Sequence, residues 1–260
     1  MVIIFSHPKR SIFHEKPVRK VRKQYLPLTI LCICFILTPV LKAGSSAAPT
    51  TGKAENASEI ALVEYSSNLL YDSLQLNRMG LSKEAFLYAY KGQQKLAKKG
   101  KLDNANVLTV CDFSQPSNSK RMYIIDVKKF KLLVNTFVAH GKNSGAKYAT
   151  KFSNRPESLQ SSLGFYVTGN TYSGKHGLSL KLNGLEKGIN DKAARRAVVV
   201  HGADYIGDSF GTAFMGRSYG CPAVPKQVAS RVISLIKEGS CLFIYHPSKS
   251  YLHGSRILNG

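Results

Sequence analysis

The chain has no tryptophan, and only 15 Asp and Glu residues stand against 37 Lys and Arg. None of its five cysteines forms a Cys-x-x-Cys pair, and no two histidines stand at His-x-x-x-His spacing. The missing pairs remove the common structural and catalytic zinc patterns, so no metal is expected, and no cofactor fingerprint stands in their place. The shortage of acidic residues leaves a formal net charge of +22, a sign that suits a polyanionic partner. Nucleic acid is not expected among such partners, because no recognition helix, zinc module or aromatic-interleaved basic motif accompanies the charge. An anionic cell wall or membrane surface accounts for the sign equally well. Internal repeats and low-complexity tracts are also absent, which excludes solenoids and arrays. At 260 residues the chain is long enough for one catalytic domain plus a leader.

Part of the basic excess belongs to the first 23 residues, where Lys9, Arg10, Lys16, Arg19, Lys20, Arg22 and Lys23 face only Glu15. An apolar stretch over residues 25–41 follows, broken by Pro27 and Pro39, and then small residues from Ala43 to Ala48. Basic, apolar and small segments in that order predict a signal peptide or an N-terminal membrane anchor over residues 1–48, and an exported protein of the periplasm or cell envelope. Any membrane contact would then run through this segment alone, if it is not cleaved.

Residues 49–104 read as a linker and a helical extension. Ala, Ser, Thr and Gly dominate its start; Leu62, Tyr65 and Leu69 then fall at helical spacing, and Ser82 opens a second pattern through Ala85, Phe86, Ala89 and Tyr90. From about residue 105 the pattern turns to strands. Val107 to Cys111, Met122 to Val127 and a run from Phe130 are joined by short turns, which argues an antiparallel meander. Another strand is expected around Phe165. Val228, Val232, Leu235 and Ile236 predict a helix, and Cys241 to Tyr245 a closing strand. The expected domain covers residues 105–246, and residues 247–260 read as a polar, loosely held tail. The fold class is α+β and predominantly β.

The stretch from Arg195 to Pro225 carries the chemistry. Val198, Val199 and Val200 form a β-branched run that delivers His201 and Gly202, and about twenty residues later stands Gly216-Arg217-Ser218-Tyr219-Gly220-Cys221-Pro222. Glycines before the cysteine and the proline after it place a thiol on a tight loop. A neighbouring imidazole would activate it, and the N–H groups of Tyr219, Gly220 and Cys221 would hold an oxyanion. Alkylation of such a thiol should be fast near neutral pH.

His-Gly followed by Ser-x-Gly-Cys resembles the signature of L,D-transpeptidase (YkuD-type) catalytic domains, which remodel bacterial peptidoglycan. Here it takes the divergent form Ser-Tyr-Gly-Cys-Pro. The resemblance implies a β-sandwich core with a C-terminal helix and an N-terminal helical extension. It also implies Cys221 as nucleophile, His201 as base, the Gly202 carbonyl as the group that orients the imidazole, and Gly220 beside the nucleophile. Muropeptides would be the substrates, and the acceptor an amine of a second stem peptide or of a wall-attached protein. Carbapenem-type rings are expected to acylate the same cysteine. The common form has a histidine just before Gly-Cys, where this chain has Tyr219.

Arg217, Ser218, Tyr219, His176 and Tyr172 are the candidate substrate contacts, and His140 and His176 the competing bases. Arg217 reads equally well as a structural arginine bonding loop carbonyls. Asp204, three residues after His201, is a candidate to orient the base as in a triad, with a turn residue bonding local backbone N–H groups as the preferred reading. Two other outcomes stay open on sequence alone. An L,D-carboxypeptidase would pass the same acyl group to water, and an inactive wall-binding module would keep the fold without the reaction. Cys111 and Cys241 are free or joined to each other.

Overall fold

The computed structural model describes residues 51–207 and 214–260. The expected leader lies outside them. Among the described residues no helix is long and apolar enough to cross a membrane.

Among the described residues two helices come first. Helix α1 (Thr51–Ser73) begins inside the expected linker, and α2 (Lys83–Lys98) starts where the sequence placed it. Ser82 caps α2, its hydroxyl accepting the Ala85 N–H at 3.1 Å, with Glu84 in the first turn and Lys95 and Lys98 in the last, all favourable to the helix dipole. The face expected to pack from α1 does not: Leu62, Tyr65 and Leu69 are 65%, 68% and 49% exposed, while Leu70, Tyr71 and the following Leu76 are buried. Helical spacing identified a stripe, but α1 turns a different one toward α2.

Among the described residues eight strands form one mixed sheet. They are β1 (Asn104–Asp112), β2 (Met122–Asp126), β3 (Lys131–Thr136), β4 (Gly164–Gly174), β5 (Gly177–Gly184), β6 (Val199–Ala203), β7 (Ala223–Pro225) and β8 (Ser240–Tyr245). Their spatial order is β3-β2-β1-β8-β4-β5-β6-β7. The expected antiparallel meander is β1 to β3. The expected closing strand β8 instead takes a central place, parallel to β1 and antiparallel to β4, and all six of its residues are buried. Sequence reading missed β5, where Ser179, Lys181 and Asn183 interrupt the apolar run and the first two residues are exposed.

Helix α3 (Lys226–Ile236) buries Ala229, Val232, Ile233 and Ile236. It touches β1, β5, β6 and β7, strands that lie up to five places apart, so the sheet curls around it. The curl nearly closes. The segment after β3 bonds the far end of the sheet, Ala139 N–H donating to the Ala223 carbonyl at 2.8 Å, and a small core of Phe137, Ala139, Ala203, Ile206, Met215 and Ala223 fills the seam. The result is a near-barrel β fold with helices at both ends, as the α+β, predominantly β reading expected.

The tail is not loose. Residues Lys249–Gly254 (α4) and Arg256–Asn259 (α5) are helical, and Tyr251 and Leu258 are buried. Buried Glu186 holds them, accepting from Tyr251 Oη at 3.1 Å, from Ser255 Oγ and from the Phe165 N–H at 2.8 Å. Polar composition hid this, because the anchors are single residues met across the fold.

Helix α2 lies so close to β4 that a Cβ on Gly92 would stand 2.0 Å from the Phe165 ring, which in turn stacks on Phe243 at 4.2 Å. Gly92→Ala gains about 1 kcal/mol of helix propensity but overpacks the core at a cost of about 1–3 kcal/mol. A net loss of stability is therefore expected, measurable as a lower urea midpoint; a higher midpoint would mean that Phe165 yields freely.

Candidate active site

The β6–β7 ladder explains where the thiol sits. It is parallel and pairs His201 with Ala223, Gly202 with Val224 and Ala203 with Pro225. His201 is thus the middle residue of β6 and not its end, as the apolar run had suggested, because Gly202 and Ala203 also find partners. Before Ala223 the ladder stops and the Cys221 loop begins. At that point the Val199 N–H lies 3.5 Å from Cys221 Sγ, and the sulfur lies 3.7 Å from the Ala197 carbonyl. The thiol therefore rests against the β6 edge, two residues before His201.

Ser218 shapes the loop. Its hydroxyl donates to the Cys221 carbonyl at 2.6 Å and accepts the Gly220 N–H at 3.1 Å. The expectation that the Gly220 N–H is free for an oxyanion is thus overturned, because the turn consumes it. Tyr219 and Cys221 N–H groups bond no acceptor among the described residues, so these two are the candidate oxyanion donors. The loop is gripped from outside by residues 140–142: Ser218 N–H donates to the His140 carbonyl at 3.0 Å, and Lys142 N–H to the Ser218 carbonyl at 2.7 Å.

His201 is buried, and its Nδ1 lies 2.9 Å from the Gly202 carbonyl. A carbonyl only accepts, so Nδ1 carries the proton and Nε2 keeps a free lone pair. Burial lowers the imidazole pKa below its usual 6.5, with smaller contributions in the same direction from His176 and Lys175, against the raising effect of the Gly202 bond. Cys221 is part-buried, and burial raises its pKa against the opposing pull of the Val199 N–H and Arg196. Both groups are therefore neutral at pH 7. The expected ease of alkylation at neutral pH does not come from a preformed thiolate.

His176, at the tip of the β4–β5 hairpin, stacks its ring on that of His201 with centroids 4.3 Å apart. Tyr172 pairs with Ser179 across the hairpin, and Ser179 with His201, so the three share a row on one face of the sheet. Strand spacing puts Tyr172 about 10 Å from the base. Tyr219 projects outward, 70% exposed. Arg217 bonds the Gly145 carbonyl at 3.2 Å and the Lys142 carbonyl at 3.4 Å, and lies over the Phe214 ring. This is the loop-bonding alternative for that residue. Asp204 pairs with Lys226 at 3.0 Å on the surface, so among the described residues its carboxylate serves neither the base nor the local backbone N–H groups that a turn role would use.

His140 has a different place. It is fully buried, its Nδ1 accepting from Arg121 Nη2 at 2.8 Å and its Nε2 donating to the Gly145 carbonyl at 3.2 Å. Burial first, and then the Arg121 charge, lower its pKa to about 4. Because the folded protein resists protonating it while the unfolded chain does so near 6.5, its contribution to stability is full above 6.5 and lost as pH falls toward 4. The expected loss is on the order of 3 kcal/mol. Denaturant titrations at pH 7 and pH 4.5 should show it, with a smaller difference in His140→Asn; an equal difference would assign the acid sensitivity elsewhere.

Cys111 and Cys241 are buried and unpaired. In the parallel β1–β8 register Cys241 stands beside Leu108, three residues from Cys111, so they cannot bridge. Among the described residues no cluster of His, Cys, Asp and Glu is arranged to hold a metal.

Sequence reading missed three contributors: Arg196, Ser161 and Arg121. Arg121 is wholly buried, bonding the Val138 carbonyl twice and the Gln115 carbonyl once besides His140. Their partners are distant in sequence, and the only available signal was that Arg196 precedes the histidine strand.

Residues 77–245 match the sequence profile of the L,D-transpeptidase catalytic domain. No curated protein gives a significant match. Similar solved structures include an L,D-transpeptidase from Mycobacterium smegmatis, at 12% identity and TM-score 0.35, covering 54% of this chain and 59% of that one. Another is a mutant L,D-transpeptidase from Enterococcus faecium, at 11% identity and TM-score 0.33, covering 54% and 50%. A third, from Stackebrandtia nassauensis, has 13% identity and TM-score 0.32, covering 64% and 68%. The chain thus spans less than two thirds of the first two. The profile takes in α2 and all eight strands, with His201 and Cys221 inside it, and the chain belongs to the L,D-transpeptidase catalytic-domain family.

Proposed function

We propose that the protein is an exported cysteine acyltransferase acting on peptidoglycan stem peptides, an L,D-transpeptidase, with Cys221 as nucleophile and His201 as base. The observation that carries this reading is the His201 Nδ1 bond to the Gly202 carbonyl, which leaves Nε2 bare on the strand against which the thiol lies. Rotation of the Cys221 side chain from its contacts with Val199 and Ala197 would bring the sulfur toward that nitrogen.

In the first half-reaction Nε2 takes the thiol proton while Sγ attacks the carbonyl that follows the L-centre of the third stem residue. A C–S bond forms, and the electron pair of the C=O moves to oxygen, where the Tyr219 and Cys221 N–H groups stabilise it. Collapse breaks the C–N bond to the terminal D-alanine, and the imidazolium returns the proton to the leaving amine. In the second half an acceptor amine attacks the thioester, gives its proton to His201 and releases the thiol. Family membership supports muropeptides as the substrate class. Exposed Tyr172 and Tyr219, and His176 stacked on the base, are the substrate contacts in this reading. Export rests on the order of basic, apolar and small residues over 1–48, and implies the periplasm or cell envelope as the place of action.

Incubating residues 49–260 with tetrapeptide muropeptides, with mass analysis of products, tests the reading. Cross-linked dimer is expected; trimmed tripeptide alone would make the enzyme a carboxypeptidase, and unchanged substrate a binding module. Fractionation tests export, since full-length protein confined to the cytosol contradicts it.

A further inference from the structure

Arg196 sits just before β6 and makes four hydrogen bonds into residues 151–162, an irregular strap that crosses beneath the Cys221 loop. Nη1 donates to the Ser153 carbonyl at 2.7 Å and to Ser162 Oγ at 2.5 Å; Nη2 donates to the Gln160 carbonyl at 2.6 Å and to Ser158 Oγ at 3.2 Å. These acceptors are all neutral. Among the described residues Arg196 forms no ion pair, so its charge is not cancelled by a carboxylate.

The strap in turn holds the loop. Ser161 Oγ accepts the Gly141 N–H at 3.0 Å and donates to the Gly220 carbonyl at 3.3 Å, and Ser161 N–H donates to Ser144 Oγ at 2.9 Å. The Gln160 carbonyl lies 2.8 Å, and Arg196 Nη2 3.3 Å, from where a Cβ on Gly220 would stand. One guanidinium therefore fixes four points of the strap and lies directly beside the peptide that precedes the nucleophile.

We propose that Arg196 is a positioning residue for the nucleophile, fastening the strap so that Ser161 and Gln160 hold the Gly220 peptide, and presenting an unneutralised positive charge to Cys221. The proposal rests on Cys221 being the nucleophile. The planar fork suits the first task, because it satisfies four acceptors in fixed directions where an ammonium would satisfy fewer. The second is electrostatic: a cation close to a part-buried sulfur favours the thiolate as it forms. It works against burial, which raises the thiol pKa. The other titratable or charged groups about Cys221 are His201 on β6, Tyr205 after it and Tyr219 on the loop itself.

The test uses the full chain beyond the leader, with two readouts. One is the rate of Cys221 alkylation by iodoacetamide across pH, which needs no substrate; the other is the rate of thioester formation with a tetrapeptide muropeptide, read by intact mass. Arg196→Lys keeps the charge and loses the fork, so its alkylation midpoint should stay in place while acylation falls roughly 10-fold. Arg196→Gln loses both, so its midpoint should move to higher pH and acylation fall roughly 100-fold. Should either variant fail to fold by circular dichroism, Ser158→Ala with Ser162→Ala removes two of the four acceptors and keeps the charge; slower acylation with an unmoved midpoint is the supporting result. Acylation of Arg196→Gln at the wild-type rate, an unshifted midpoint in that variant, or an unchanged rate in the double serine variant overturns the proposal. Wild-type protein that is alkylated at Cys221 yet never acylated would sink the transpeptidase reading instead.

Discussion

His201→Ala is expected to slow acylation of Cys221 by on the order of 10²–10⁴-fold at neutral pH, the range for loss of a positioned general base. The reason is that the structure provides no standing thiolate. Burial lifts the Cys221 pKa above 9.0, so at pH 7 the sulfur is protonated until a base removes the proton. His201 is suited to this because its own pKa is pushed below 6.5, leaving Nε2 unprotonated at neutrality. The wild-type rate should therefore rise through an acid limb below pH 6.5 and then stay level across neutral pH. In the variant the level region should disappear, and the rate should climb with hydroxide toward the alkaline thiol pKa. Cys111, whose pKa is raised to about 12, and buried Cys241 should not react in native protein. A variant that keeps the wild-type pH profile would remove His201 from the base role and point to His176, stacked on it.

Gly220→Ala should cost nearly as much activity while leaving a folded protein. Gly220 has φ of +122°, where residues with a side chain are strained by roughly 1–3 kcal/mol. The added methyl also meets the Gln160 carbonyl at 2.8 Å, a backbone atom held by Arg196. Because the Gln160 carbonyl is held, the loop is expected to shift, and a displacement near 1 Å at a reacting atom is worth about 10²-fold in rate. Acylation down about 100-fold with the thermal transition lowered by only a few degrees is the expected pair of results. Undiminished acylation would show that the Gly220 peptide does not set the position of the sulfur.

How much of this could be read in the sequence follows from the range of the interactions. Capping of α2 by Ser82, the antiparallel β1–β3 meander and the apolar face of α3 are local patterns of period two or 3.6, and they were legible. His201 and Cys221 were legible because a tight glycine loop and a histidine strand have short signatures. The position of His140 was not: its burial and its Arg121 partner depend on β2 meeting the segment after β3, and a His-Gly pair looks alike in a core and at a surface turn. The same holds for Arg196, whose four acceptors lie 34 to 43 residues away. The central place of β8 was not legible, because a strand that closes the chain order has no fixed place in the sheet. The wrong stripe on α1 shows the limit of periodicity, which finds a helix but not the neighbour it packs against.

That central strand governs the order in which the protein can be assembled. Strand β8 begins at Ser240, and β1, which it must join to β4, ends at Asp112. Until residues 240–245 are in place, β3-β2-β1 and β4-β5-β6-β7 are two half-sheets, with β1 and β4 as unpaired apolar edges. The pairing that unites them is the most distant in sequence, and such contacts form late and slowly, leaving the edges open to other chains meanwhile. A nascent chain would therefore carry both half-sheets as an adhesive intermediate, and the β6–β7 half with its thiol would acquire a rigid scaffold only once residues 240–245 have been made.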